Sequence, residues 1–275
     1  MFTQKVVIIT GGSSGLGKEL AVRLLRRGAH LALIARDKAK LEAVRHALPA
    51  NMPAGQKVGI YSCNVCDPAL VEKTFRAITD EIGSPDILIN CAGILREGYF
   101  EKQPIEYFHE TMNINFFGPL HCIKGVLPYF KQKGNGRIVN ISSMAGLIGV
   151  FGYTTYCSSK HALVGLTHTL RSELKPLNIH VQLACPGEFE SPMVDTLNTY
   201  RTLENMAVTH TIPVMKIHRV ADSVVKGMEK GTYMIIPGLM ARSIDRFSRW
   251  FPALSRMIAD MRLNKVYRGA DHAST

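Results

Sequence analysis

A chain of 275 residues, 46% hydrophobic and 20% charged, can bury about three-quarters of its unfolded surface, so one large α/β domain closes without a disulfide or metal staple. A formal charge of +11, from 33 Lys and Arg against 22 Asp and Glu, favours anionic partners but does not choose among a phosphate cofactor, an acidic carrier protein, a membrane surface and nucleic acid. No apolar run reaches the ~18 residues of a membrane span, and no linker-like or low-complexity stretch divides the chain.

The first strand is predicted at Lys5–Thr10, a continuously apolar run of the kind found in a parallel sheet buried on both faces. The turn Gly11-Gly12-Ser13-Ser14-Gly15-Leu16-Gly17 follows it and opens an amphipathic helix to about Arg27. Glycines between strand and helix let the backbone turn tightly and approach a pyrophosphate seated on the free N–H groups of the helix N-terminus. A second strand, His30–Ala35, ends before Arg36 and Asp37. An NAD-preferring site puts a carboxylate at this strand tip to accept from the ribose hydroxyls. Here a guanidinium follows Ala35 and can fork onto a 2′-phosphate, so NADP(H) is the implied cofactor. Asp37 reads as the N-cap of the next helix.

A third strand, Lys57–Ser62, leads to Asn64 and Val65 and then a helix from about Pro68 to Ile82. A fourth, Asp86–Ile89, runs into Asn90-Cys91-Ala92-Gly93, where small residues admit a flat ligand. The long helical pattern from about Ile105 to Lys131 contains Asn113, Asn115 and Gly118. An Asn on an apolar helix face either satisfies itself locally or kinks the helix to serve a site, and both readings stay open.

The stretch Ile138–Lys160 reads as an apolar strand ending in a Ser pair, a glycine-punctuated loop and a helix start carrying Tyr156 and Lys160. Four residues apart, those two share one helix face, and an ammonium beside a phenol favours phenolate and pulls the phenol pKa down from about 10. Ser143 at the strand tip can hydrogen-bond the oxygen that the phenol protonates. A Ser, Tyr and Lys cluster suits carbonyl and alcohol chemistry.

A helix from about Thr154 to Leu177 and a sixth strand, Ile179–Ala184, come next. The loop Pro186-Gly187-Glu188-Phe189-Glu190-Ser191-Pro192-Met193 lies at a strand tip, where ligands of such sheets bind, and is expected to wall a nicotinamide. The polar, weakly patterned segment Val194–Lys216 is expected to be a mobile substrate lid spanning about residues 188–216 with that loop. A helix from about Val220 to Glu229 and a last strand, Tyr233–Ile236, complete an alternating βα pattern. The expected fold is a doubly wound parallel sheet in three αβα layers over residues 1–237, with a helical extension over 238–275.

In that extension Leu239, Met240, Ile244, Phe247, Trp250 and Phe251 recur at helical spacing with Arg242, Arg246 and Arg249 between them. After Pro252 come Leu254, Met257, Ile258 and Met261, with Arg256 and Arg262 outside the stripe. Such a face suits peripheral contact with a membrane over residues 238–265, or packing on the domain or on a dimer mate. The cysteines at 63, 66, 91, 122, 157 and 185 read as reduced and, with no signal peptide before the first strand, as cytosolic. Cys63 and Cys66 form a CxxC with no second ligand pair at metal spacing, so a structural role is preferred and no metal is expected.

The motifs T-G-G-S-S-G-L-G at 10–17, N-C-A-G at 90–93, N-F-F-G at 115–118, Ser143, Y-C-S-S-K at 156–160 and P-G at 186–187 resemble, in that order, the short-chain dehydrogenase/reductase family from Val6 to Ile236. The resemblance implies a Rossmann fold and roles for individual residues. Tyr156 would be the proton donor, Lys160 would lower the Tyr156 pKa and hold the nicotinamide ribose, Ser143 would polarise the carbonyl, and Asn115 would kink its helix and hold a water. Gly11, Ser13, Ser14, Gly15, Leu16, Gly17, Arg36, Asn64, Val65, Asn90, Ala92, Gly93, Pro186, Gly187, Phe189 and Ser191 would contact NADP(H) beside Tyr156 and Lys160. Asn64 stands where many members carry Asp, and Ser191 where they carry Thr.

The basic apolar tail, the NADP(H) preference and the segment before Tyr156 look most like reductases acting on a hydrophobic, lipid-like ketone or alcohol, in a homodimer or homotetramer. A 3-oxoacyl-thioester reductase, a hydroxysteroid or carbonyl reductase, and a catalytically silent binding protein of this fold are the alternatives. The intact Asn115, Ser143, Tyr156 and Lys160 set counts against the last. Dispersed basic residues without a recognition motif count against nucleic acid.

Overall fold

The structure, a computed structural model, describes residues 1–48 and 55–273. In chain order its main elements are β1 (Val6–Thr10), α1 (Gly15–Leu25), β2 (His30–Ala35), α2 (Lys38–Ala47), β3 (Val58–Ser62), α3 (Pro68–Glu81) and β4 (Ile87–Asn90). Then come α4 (Ile105–Met112), α5 (Gly118–Lys133), β5 (Gly136–Ile141), α6 (Thr154–Glu173) and β6 (Ile179–Ala184). The chain continues through α7 (Pro192–Leu197), α8 (Leu203–Thr209), α9 (Ile217–Glu229) and β7 (Met234–Ile235) to α10 (Leu239–Trp250) and α11 (Pro252–Ala273).

β1 shows how the apolar runs build the layers. All five of its residues are buried, and successive side chains point to opposite faces of the sheet. Val7 and Ile9 join a core with Leu20 and Leu24 of α1, Leu41 of α2 and Val224 of α9. Val6 and Ile8 join the other core, with Phe75 and Ile78 of α3, Val126 and Phe130 of α5, and Leu166 and Leu170 of α6. The strands pair in the order β3-β2-β1-β4-β5-β6-β7, every pair parallel, which is the expected doubly wound sheet. The chain moves outward from β1 in one direction, then returns to add β4 on its other side. That reversal opens a crevice at the carboxyl ends of β1 and β4.

Local chemistry sets most element ends. Asp37 caps α2, its side chain accepting from the Lys40 N–H at 3.0 Å. Asp67 caps α3 through the Ala69 and Leu70 N–H groups, with Pro68 in the first turn. α6 stops short of Leu177 because Pro176 cannot continue it; a 3₁₀ turn at Lys175–Leu177 and Asn178 at φ 54° lead into β6.

Two expectations change. The pattern from Ile105 to Lys131 is not one helix, since a π-helical turn at Asn113–Phe117 separates α4 from α5. The segment Val194–Lys216 is not irregular: it holds most of α7 and all of α8, each opened by a hydroxyl cap, Ser191 on the Val194 N–H and Thr202 on the Asn205 N–H.

Candidate active site

The crevice at the carboxyl edge deepens into a cavity of ≈ 760 Å³. Its floor is the glycine turn after β1, the small residues after β4, the strand tip of β5 and the first turns of α6. Gly11 has φ +69°, and a Cβ there would meet the Ala92 backbone at 2.9 Å. A Cβ on Gly17 would be driven into the Gly11 carbonyl, whereas Gly15, at φ +51°, faces open space. Two glycines thus close the turn onto its neighbours and the third leaves room for a ligand, as a pyrophosphate cradle requires. α1 begins at this turn with no side chain capping it and no acidic residue in its first turn, so its N–H groups are available to an anion.

Lys160 sits on the floor, 5% exposed, with its Nζ 3.0 Å from the Ile141 carbonyl and 5.6 Å from the centroid of the Tyr156 ring. Burial pulls its pKa down to about 8. The thiols of Cys91 and Cys185, which would help hold its charge if ionised, are pushed by burial up to about 12 and stay neutral. An ammonium has three donors, and the protein supplies this one with a single acceptor, so it lacks partners on the cavity side.

Tyr156 is buried beside it, edge-to-face with Tyr153 at 5.7 Å. Burial drives the phenol well above its ordinary value, and the Ser143 hydroxyl pulls in the other direction without winning. The expected ammonium-stabilised phenolate is therefore corrected: in this setting Tyr156 keeps its proton, because desolvation of the anion outweighs the Ser143 hydrogen bond. Ser143 Oγ accepts from the Ala145 N–H at 3.1 Å and lies 3.4 Å from the Pro186 carbonyl, which ties the β5 tip to the loop after β6.

Asn115 is fully buried in the π-helical turn. Its Nδ2 donates to the Ile94 carbonyl at 2.9 Å and to Ser159 Oγ at 3.0 Å, and its Oδ1 accepts from the Ile94 N–H at 2.9 Å. The residue is thus satisfied, though not locally: its partners lie 21 and 44 residues away along the chain. Its amide braces the loop after β4 against α6.

Of the residues expected to hold cofactor, Gly11, Ser14, Gly15, Leu16, Gly17, Ala92, Gly93, Pro186, Gly187, Phe189 and Ser191 line the cavity together with Ser143, Tyr156 and Lys160. Ser13, Arg36, Asn64, Val65 and Asn90 do not. Asn90 is the clearest departure: its side chain is buried, donating to Asn140 Oδ1 at 2.8 Å, and Asn140 in turn donates to Thr167 Oγ1 at 2.9 Å. It is a core strut between β4, β5 and α6. Asn64 spends its carbonyl oxygen on the Cys66 N–H at 3.2 Å, and Val65 is buried with its main-chain oxygen on His121. Arg36 is exposed at the β2 tip and makes no ion pair among the described residues.

Two parts of the site were not legible beforehand. The segment Val194–Lys216 is pinned by Arg201, 2% exposed, whose Nη1 and Nη2 donate to the two oxygens of Glu188 at 2.9 and 2.5 Å. Arg201 also bonds Asn205, Thr209 and, at 3.5 Å, the Tyr153 hydroxyl. The tail is not a separate appendage either. Ile244 and Phe247 of α10 and Ile258 and Ala259 of α11 wall the cavity, while Leu239, Met240, Trp250, Phe251, Leu254, Met257 and Met261 stay exposed. The single apolar stripe read from the sequence is thus divided between an inner and an outer face.

The sequence profile described as short chain dehydrogenase matches residues 5–202. This chain belongs to the short-chain dehydrogenase/reductase family. It is an oxidoreductase of the class that acts on a ketone or secondary alcohol with a nicotinamide cofactor. The chain is 37% identical over 246 residues to a 3-ketodihydrosphingosine reductase of Dictyostelium discoideum, covering 84% of this chain and 74% of that protein. A 3-ketodihydrosphingosine reductase of Bos taurus is 36% identical over 82% of this chain and 69% of its own length. Among solved structures, a short-chain dehydrogenase from Sphingobium yanoikuyae in complex with NADPH matches with a TM-score of 0.76 and 29% identity, covering 93% of this chain and 95% of that one. No helix among the described residues of this dehydrogenase/reductase is long and apolar enough to cross a membrane, and no group of three metal-ligating side chains is present among them.

Proposed function

We propose that the protein is an NADPH-dependent reductase of a long-chain ketone of the 3-ketodihydrosphingosine type. The observation that carries the reading is the placing of Tyr156, Ser143 and Lys160 at the floor of a cavity whose upper walls carry Val208 of α8, Ile244 and Phe247 of α10 and Ile258 and Ala259 of α11, with Arg249, Arg256 and Arg262 beside them. Those walls suit a lipid chain more than a compact polar substrate, and the sphingoid reductases are relatives over most of the chain.

The nicotinamide, when bound, supplies the hydride. Gly11, Gly15 and the N-terminus of α1 take the pyrophosphate, and Ser191 with the Pro186–Phe189 loop walls the nicotinamide ring. Lys160 turns its unused donors to ribose hydroxyls. Ser143 donates to the substrate carbonyl, and Tyr156, kept protonated by burial, delivers the proton to that oxygen. Arg36, exposed and free of ion pairs among the described residues, reads the 2′-phosphate. Arg36→Ala is expected to weaken NADPH by tenfold or more and NADH far less, measured by titration of each cofactor; equal losses would remove Arg36 from phosphate recognition. Residues 1–237 form the cofactor and catalytic domain, 188–216 its lid, and the outer face of 238–265, with its arginines, rests on an anionic membrane surface.

The deciding assay follows NADPH consumption with 3-ketodihydrosphingosine in detergent micelles beside a short 3-oxoacyl thioester. Faster turnover of the sphingoid ketone is expected. Preference for the thioester would overturn the substrate assignment and make the +11 surface a carrier-protein dock.

A further inference from the structure

We infer that the groove between α8 and α11 is the binding site for the alkyl chain of the substrate, leading it from the catalytic cavity to the protein surface. The inference rests on the reading of the substrate as a long-chain ketone. α11 packs along α8, and between them a groove of ≈ 600 Å³ is walled by Ala207 on one side and by Ile258, Met261, Arg262, Lys265 and Val266 on the other. Ile258 and Arg262 also wall the catalytic cavity, so the two spaces adjoin.

Its chemistry is that of a chain site. Ala207, Ile258 and Val266 present only hydrocarbon, and Met261, half-exposed at the outer end, is a flexible side chain that adapts to a moving methylene chain. Arg262 and Lys265 make no ion pair among the described residues, and such side chains lay their aliphatic stems along apolar surface while keeping the charge in water. The groove holds no carboxylate and no hydroxyl with which to select a polar group. Small size at Ala207 keeps it open.

Each methylene that leaves water in such a groove contributes ~0.8 kcal/mol, about fourfold in binding. The test is a series of straight-chain 3-ketones of increasing length, with kcat/KM measured on the full chain and on two variants. For the wild type kcat/KM should climb by about that factor per methylene until the groove is filled. Ala207→Trp, at a half-buried position that walls only the groove, should flatten the climb, with a loss that grows with chain length. Met261→Trp, at the exposed mouth, should bring the plateau at a shorter chain. Losses equal at every chain length, or no loss at any, would overturn the groove assignment.

The substrate reading fails separately, if the wild type reduces no long-chain ketone at all. The groove is then tested without turnover, by photolabelling with a long-chain alkyl diazirine and mapping the adducts. Labels on Ala207, Ile258 and Val266 support the assignment, and labels confined to other surfaces overturn it.

Discussion

The floor of the active site and the α10–α11 hairpin above it wall the same cavity by opposite means. On the floor almost every element is held by a buried polar bond. Asn115 clamps Ile94 to Ser159, Ser143 ties β5 to the loop after β6, and Lys160 holds the Ile141 carbonyl. In the hairpin, Ile244, Phe247 and Ile258 face the cavity beside the longer side chains of Arg249, Arg256 and Arg262, while Trp250 stays 77% exposed. A buried polar group without its partner costs of order 1–3 kcal/mol, so identity and position are tightly constrained on the floor. Apolar contacts tolerate many side chains of similar volume, so the hairpin is free to vary with the substrate.

That contrast orders the expected effects of substitution. The largest belongs to the reacting proton. Tyr156→Phe removes only the hydroxyl, and turnover should fall by roughly 10²–10⁴-fold with NADPH affinity preserved. A variant retaining wild-type turnover would separate Tyr156 from the chemistry.

Next comes the latch between Arg201 and the loop after β6. Arg201→Met strands the Glu188 carboxylate against the cavity wall, and removal of one partner of a buried pair costs ~3–5 kcal/mol. A denaturant titration should show that loss, and Glu188→Gln should show a smaller one because no charge is left unpaired. If both variants unfold like the wild type, the lid is not held by this pair.

A smaller effect, in the apo protein, concerns Lys160. Its folded pKa is about 8, below that of the exposed side chain, so the unfolded chain binds more protons between about pH 8 and 10.5. Stability from this group therefore rises with pH across that window, and below it the cost of burying the ammonium is fully present. Lys160→Met should be more stable than the wild type at pH 7, by ~1–3 kcal/mol, and the difference should shrink toward pH 10. Urea midpoints at several pH values measure it; a difference independent of pH would mean that Lys160 is already neutral or well solvated.

The smallest effect on the folded chain lies in the hairpin. Trp250→Ser should change stability by less than ~0.5 kcal/mol, as expected for an exposed side chain. Co-sedimentation with anionic vesicles should nonetheless drop. Unchanged sedimentation would count against the outer face as the membrane contact.

How far the sequence reached follows the same division. The floor was legible because its constraints are local. Gly11 and Gly17 are demanded by backbone approach within one turn, Tyr156 and Lys160 share a helix face, and Asp37 caps the helix it precedes. The place of the Asn90 side chain was not legible because its surroundings are set by Asn140 and Thr167, which lie 50 and 77 residues away along the chain. The phenol of Tyr156 was assigned the wrong direction because a spacing of four residues reveals a neighbouring charge but not depth of burial. Arg201 carried no local signal, since a lone arginine in a polar segment becomes a latch only when α8 folds back over Glu188.

By itself, then, the sequence determined the order of strands and helices, the doubly wound class and the meeting of Ser143, Tyr156 and Lys160, because period, turn chemistry and short spacings act over a few residues. Tertiary structure alone decided which half of the tail's apolar stripe faces the cavity, how the lid is pinned, and that a groove between α8 and α11 adjoins the site. Those depend on how distant segments meet, and free energy gained by burying one face of a helix does not specify, from the sequence of that helix, what it is buried against.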